Sequence, residues 1–206
     1  FKILFANKNY KYGVIAQAFY VGAQIMCWTY IFQYVDNINI THGMELTATY
    51  FNVAAMVVFL LGRWIGTALM KTINPSKLLM LFGIGGVICC AGTILLTGMP
   101  GLISLVAISV FMSIMFPTIY GIALKDMGDE AKIGSAGLVM AIVGGALMPV
   151  FQGSILDWGG PGFSDEKILG FISEVNFSFI LPLICLSVVT FYGYKTFQFS
   201  KKIAKK

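Results

Sequence analysis

Apolar residues run through this chain in six long blocks rather than alternating with polar ones. The blocks lie at about residues 13–34, 46–70, 78–96, 102–124, 135–156 and 175–197. A bilayer's hydrocarbon core of about 30 Å needs about 20 helical residues at ~1.5 Å each. Each block is long enough, and unbroken apolar runs exclude a β-barrel, whose strands alternate outward apolar and inward polar positions. The pattern therefore predicts an all-α membrane protein of six transmembrane helices. Breakers sit between the blocks: Asn37 to Gly43, Asn74-Pro75, Met99-Pro100-Gly101 and Gly159-Gly160-Pro161-Gly162. Pro117, Pro149 and Pro182 fall inside blocks and predict kinks, which packed neighbours tolerate in lipid. Small pairs such as Gly62/Gly66 and Gly137/Ala141 suit close helix approach.

Composition agrees. The chain has 206 residues, 58% hydrophobic and 11% charged, where a soluble domain carries about 25% charge. Folding in water would leave too much apolar surface exposed. The net charge of +5 comes from basic residues in short connections, a pattern of membrane orientation rather than nucleic-acid binding. Twelve of the fourteen basic residues fall at the termini and in the second and fourth connections. The positive-inside rule then places both termini in the cytoplasm. The chain opens at Phe1 without an initiator Met and reads as part of a longer polypeptide.

Candidate chemistry is sparse. Cys27, Cys89, Cys90 and Cys185 lie in apolar runs without CxxC spacing, so they read as small apolar fillers; no metal or cofactor is expected. His42 is the sole histidine and sits in a connection. There is no HExxH and no paired intramembrane aspartate, so an enzyme is not expected. Every acidic residue falls in a connection or at a block boundary. Intramembrane carboxylates are the usual seats of ion coupling, so a coupling site is expected outside these helices.

Neutral polar groups do enter the blocks. Gln17, Tyr20, Gln24 and Trp28 recur at three- or four-residue spacing and share one helix face. Amides beside aromatic rings suit a sugar's hydroxyls and its C–H face. The same residues could equally pack between helices. Asn52 is a further site candidate, Tyr120 lies on the fourth block, and Gln152 and Asn176 read as interfacial caps. Met112, Met115 and Phe116 read as core. Arg63, about two turns from the cytoplasmic end of the second block, has a stem able to snorkel to that interface. Its alternative role is a latch pairing with Asp126, Asp129 or Glu130.

AQAFYVGAQIMCWTY (16–30), GRWIGTALM (62–70) with Pro75, FMSIMFPTIYG (111–121) and IGSAGLVMAIVGGALMPVFQG (133–153) together carry a resemblance. They resemble the C-terminal six helices of the fucose–galactose–glucose proton symporter branch of the major facilitator superfamily. The resemblance implies a twelve-helix transporter of the bacterial inner membrane. This chain would supply the C-terminal half, and the N-terminal half, absent here, would carry the protonatable carboxylates. It implies a monosaccharide substrate, a proton gradient and alternating access about a midplane site. The first and fourth helices would line the cavity, the second and fifth flank it, and the third and sixth face lipid. Gln24 and Trp28 gain weight as sugar contacts, and Tyr20 and Phe116 join them. Relatives can carry Tyr at the position of Phe116, so Phe keeps stacking and loses a hydroxyl. A competing reading is a non-transporting six-helix scaffold or receptor subunit, acting as a parallel homodimer.

Overall fold

A computed structural model describes residues 7–125, 127–157, 167–168 and 172–203. Asp126, Lys2, Lys205, Lys206, Asp165, Glu166 and the connection Gly159 to Gly162 lie outside the described residues. Six helical segments are long and apolar enough to cross a membrane: Lys8–His42, Ala48–Leu69, Pro75–Leu95, Met99–Ala123, Gly128–Leu156 and Glu174–Lys202. A two-residue hairpin, Lys167–Ile168 with Ile172–Ser173, precedes the sixth span.

All spans but the second begin earlier or run further than hydropathy alone indicates; the second, Ala48–Leu69, falls just inside its expected bounds. Asn7 caps the first span by accepting from the Asn9 and Tyr10 amides. At the other end, the expected connection from Asn37 is helical as far as His42. Ile31, Tyr34, Val35 and Ile38 bury one face there, so Asp36 and Asn37 ride on a packed helix. It ends at Gly43, whose φ of 61° is left-handed. Met99-Pro100-Gly101 likewise opens the fourth span rather than preceding it, with Pro100 in the first turn, where its missing N–H has no partner to lose.

Four spans are interrupted. The fourth breaks at Ser113–Ile114, one turn before Pro117. The sixth breaks at Phe179, just before Pro182. Both positions follow from the clash of a proline ring with the turn preceding it. The fifth tightens to a 3₁₀ turn at Ala141–Val143. The first span also bends, at Tyr30, without a proline.

The first, fourth, third and sixth spans pack in a closed cluster, first against fourth, fourth against third, third against sixth, and sixth against first. The fifth adds to the first and the second to the fourth. The first and fourth spans thus share a face opposite the third and sixth, flanked by the second and fifth. Close backbone approach holds the flanks. Gly144 lies against the Ala18 carbonyl, where a side chain would collide, and Gly62 and Gly66 face Val110, Ser113 and Ile114.

Asn176 ties one end of the bundle together. Its Nδ2 lies within hydrogen-bond reach of the carbonyls of Thr93 (3.1 Å) and Leu96 (3.2 Å) and of the Tyr34 hydroxyl (3.2 Å). Tyr34 itself donates toward Thr93 and Leu96. These are the terminal carbonyls of the third span, which no intrahelical N–H reaches. Asn176→Leu is expected to destabilise the bundle by about 2 kcal/mol in reversible detergent unfolding, and Tyr20→Phe by about 1 kcal/mol. Equal midpoints for Asn176→Leu and for Ser154→Ala, an exposed control, would remove Asn176 from this role.

Candidate functional site

The shared face of the first and fourth spans collects aromatic rings. Tyr20, Gln24 and Trp28 project from one stripe of the first span, because their spacing returns them to the same side every turn. Tyr20 meets Phe116 of the fourth span edge-on at 6.2 Å, and Phe116 stacks on Tyr120 at 6.5 Å. Trp28 meets Phe59 of the second span edge-on at 5.2 Å. Three spans therefore contribute to one aromatic wall.

Polar atoms along this wall are mostly used inside the protein. The Trp28 Nε1–H donates to the buried Ser109 Oγ at 3.2 Å. Asn52 Nδ2 donates to the Trp28 carbonyl at 2.8 Å. The Tyr20 hydroxyl donates to the Met112 carbonyl at 3.0 Å, at the break in the fourth span, and Tyr20 is fully buried. These bonds fix the indole and the second span in place, leaving Trp28 to present ring surface rather than its N–H. Gln24 differs. It is half-buried, and its amide bonds to no other described residue. An amide offers two donors and an acceptor, and in a membrane these need partners.

The structure thus brings Tyr20, Gln24, Trp28, Asn52 and Phe116 to one side of the bundle. Sequence reasoning missed Ser109 and Phe59. Ser109 carries no signal of its own in an apolar run, and Phe59 reads as generic lipid-facing surface. Arg63 is exposed on the second span, and Asp129 and Glu130 are exposed in the 3₁₀ turn Gly128–Glu130. Among the described residues no ion pair joins Arg63 to either acid. Gln152 donates to Ser178 Oγ at 3.1 Å and, like Asn176, ties helices together.

Gln17 lies one turn before Tyr20 and is fully buried, with neither amide atom partnered by a described residue. A buried, unpaired amide costs about 1–3 kcal/mol. Gln17→Met, of similar length, is therefore expected to leave the unfolding midpoint unchanged or raise it. A clear fall would show that the amide is bonded through trapped water.

No family model matches the chain. Over 193 residues it is 50% identical to the L-fucose-proton symporter of Haemophilus influenzae, covering 94% of this chain and 42% of that protein. It is 31% identical over 188 residues to the L-fucose-proton symporter of Escherichia coli K12, covering 90% and 39%. It is 33% identical over 185 residues to a glucose/galactose transporter of Brucella abortus, covering 88% and 40%. The crystal structure of FucP, a Major Facilitator Superfamily transporter in the outward conformation, superposes with a TM-score of 0.80 at 28% identity, over 95% of this chain and 45% of that one. The chain spans less than half the length of these relatives and matches their C-terminal half. All are transporters, and the reading as a non-transporting scaffold is not favoured.

Proposed function

The chain belongs to the fucose and glucose/galactose transporter branch of the major facilitator superfamily, and we propose that it forms the C-terminal half of a pathway carrying a monosaccharide across the membrane together with a proton. The reading rests on Gln24. Its amide bonds to no other described residue, while the polar atoms of Trp28, Tyr20 and Asn52 beside it are engaged. A pyranose meets that arrangement with hydroxyls for the amide and an apolar face for the rings. Tyr20 acts by holding the Met112 break and Asn52 by holding Trp28. Phe116 and Trp28 supply contact surface.

The partner of this half is a second six-helix bundle facing the shared surface of the first and fourth spans. The second and fifth spans are the least buried of the six, which supports a seam along them. The carboxylate that takes the proton belongs to that second bundle. Among the described residues the buried acid is Glu174, which opens the sixth span at its boundary rather than at mid-depth. Both termini face the cytoplasm of a bacterial inner membrane, on the side where Lys8, Lys11, Lys71, Lys77, Lys195 and Lys201 gather. Arg63 latches that side by pairing with Asp126, Asp129 or Glu130 in one of the two access states.

The full-length protein in proteoliposomes is expected to take up labelled L-fucose, D-galactose or D-glucose when a proton gradient is imposed, and to stop when an uncoupler is added. Gln24→Leu is expected to raise the half-saturating sugar concentration about tenfold, the worth of one good hydrogen bond. Absence of gradient-driven uptake for all three sugars would sink the proposal. The latch is tested separately: Arg63→Ala is expected to shift the balance of inward- and outward-open states seen by spin-label distances. Unchanged populations would remove it.

A further inference from the structure

The back of the bundle, away from the shared face, carries a groove between the third and sixth spans. It has a volume of about 370 Å³ and is walled by Met80, Ile84 and Ile88 on one side and Thr190, Phe191 and Tyr194 on the other. The hydroxyls in it are spent on their own helix: Thr190 Oγ1 donates to the Leu186 carbonyl at 2.7 Å, and Ser187 Oγ to that of Leu183 at 2.8 Å. Apart from the Tyr194 phenol, on an exposed side chain, the groove is walled by apolar surface and suits a hydrocarbon chain.

One end of the groove is basic. Lys77, Met80, Ile84 and Ile88 recur at three- and four-residue spacing, so Lys77 stands on the groove's face at its end. On the sixth span the Lys195 Nζ lies 5.0 Å from the centroid of the Phe191 ring, at the groove rim. Lys201 follows Tyr194 two turns on. The two helices are joined at this end by Asn74 Nδ2 donating to Ser200 Oγ at 3.0 Å, which brings the three lysines to one edge. All three are exposed. No acidic residue occurs between Glu45 and Asp126, or after Glu174. Asp129 and Glu130 belong to the connection into the fifth span, which packs on the first. From Lys77 to Ile88 is about 16 Å of helix, close to the depth of one leaflet.

We propose that this groove is a binding site for an anionic glycerophospholipid, with one acyl chain between the third and sixth spans and the phosphate held by Lys77, Lys195 and Lys201. Lysines near a membrane surface attract anionic headgroups, and a chain of matching depth anchors the headgroup beside them. The inference requires only that the spans lie in a bilayer and is independent of the sugar pathway.

Native mass spectrometry of the full-length protein in mild detergent tests it, titrating palmitoyl-oleoyl phosphatidylglycerol against phosphatidylcholine of the same chains. Phosphatidylglycerol adducts are expected to form at about tenfold lower lipid concentration. A variant carrying Lys77→Gln, Lys195→Gln and Lys201→Gln should lose that preference, and one carrying Lys125→Gln and Lys132→Gln should keep it. Filling the groove with Ile84→Trp, or Val87→Phe where the first does not yield folded protein, should abolish the tight adduct while the thermal melt stays unchanged. Equal binding of the two lipids, preference surviving the triple variant, or adducts persisting in a folded groove-filling variant would each overturn the site.

Discussion

In lipid a backbone carbonyl that loses its helical N–H cannot turn to water, and helix ends and breaks leave such carbonyls in this bundle. Tyrosines on the first span meet part of that demand and reach other carbonyls besides. Tyr10 donates to Gly134, Tyr20 to Met112, Tyr30 to Pro149 at 2.7 Å, and Tyr34 toward Thr93 and Leu96. The acceptors lie on the fifth, fourth, fifth and third spans; Met112 sits at the break in the fourth and Thr93 and Leu96 at the end of the third, while Gly134 and Pro149 lie within helices of the fifth. Cys90 adds a contact of the same kind on the sixth span, its thiol reaching the Phe179 carbonyl, which also accepts the Leu183 amide at 3.1 Å. The first span occupies the middle of the bundle because the others need its hydroxyls as much as its apolar surface.

That arrangement separates scaffold from site. A polar group whose hydrogen-bonding capacity is consumed by the chain can hold geometry but has little left for a ligand. Tyr20, Asn52 and the Trp28 indole N–H are of this kind, and each locks one span against another. Gln24 stands among them with an amide bonded to no other described residue, and Tyr120 stacks on Phe116 of the same wall. The reach of the wall across three spans means that its shape depends on the break at Ser113–Ile114, which sets where Phe116 points.

Six spans were readable from the sequence because long apolar runs have one physical meaning in a chain this poor in charge. Their ends were not. The stretch from Asp36 to His42 looks polar residue by residue, yet it continues a helix whose other face is buried by Tyr34, Val35 and Ile38. Pro117 and Pro182 announced interruptions, while the one at Tyr30 left no trace, since no proline or glycine marks it. The stripe of Tyr20, Gln24 and Trp28 was visible in three- and four-residue spacing. Which of them remained free was invisible, because Ser109, Met112 and the Trp28 carbonyl are distant in sequence or carry no side-chain signature.

The choice of main-chain oxygens as acceptors has a consequence for divergence. Every residue type brings the same carbonyl, so positions 93, 96, 112 and 149 can change identity without breaking the bonds that end there, provided the chain path is kept; Gly134 is held small by the Tyr10 ring against it. Elsewhere only the donor side is pinned. Paired substitutions, the usual trace of two residues in touch, would therefore not report these contacts, although they join the first span to three others.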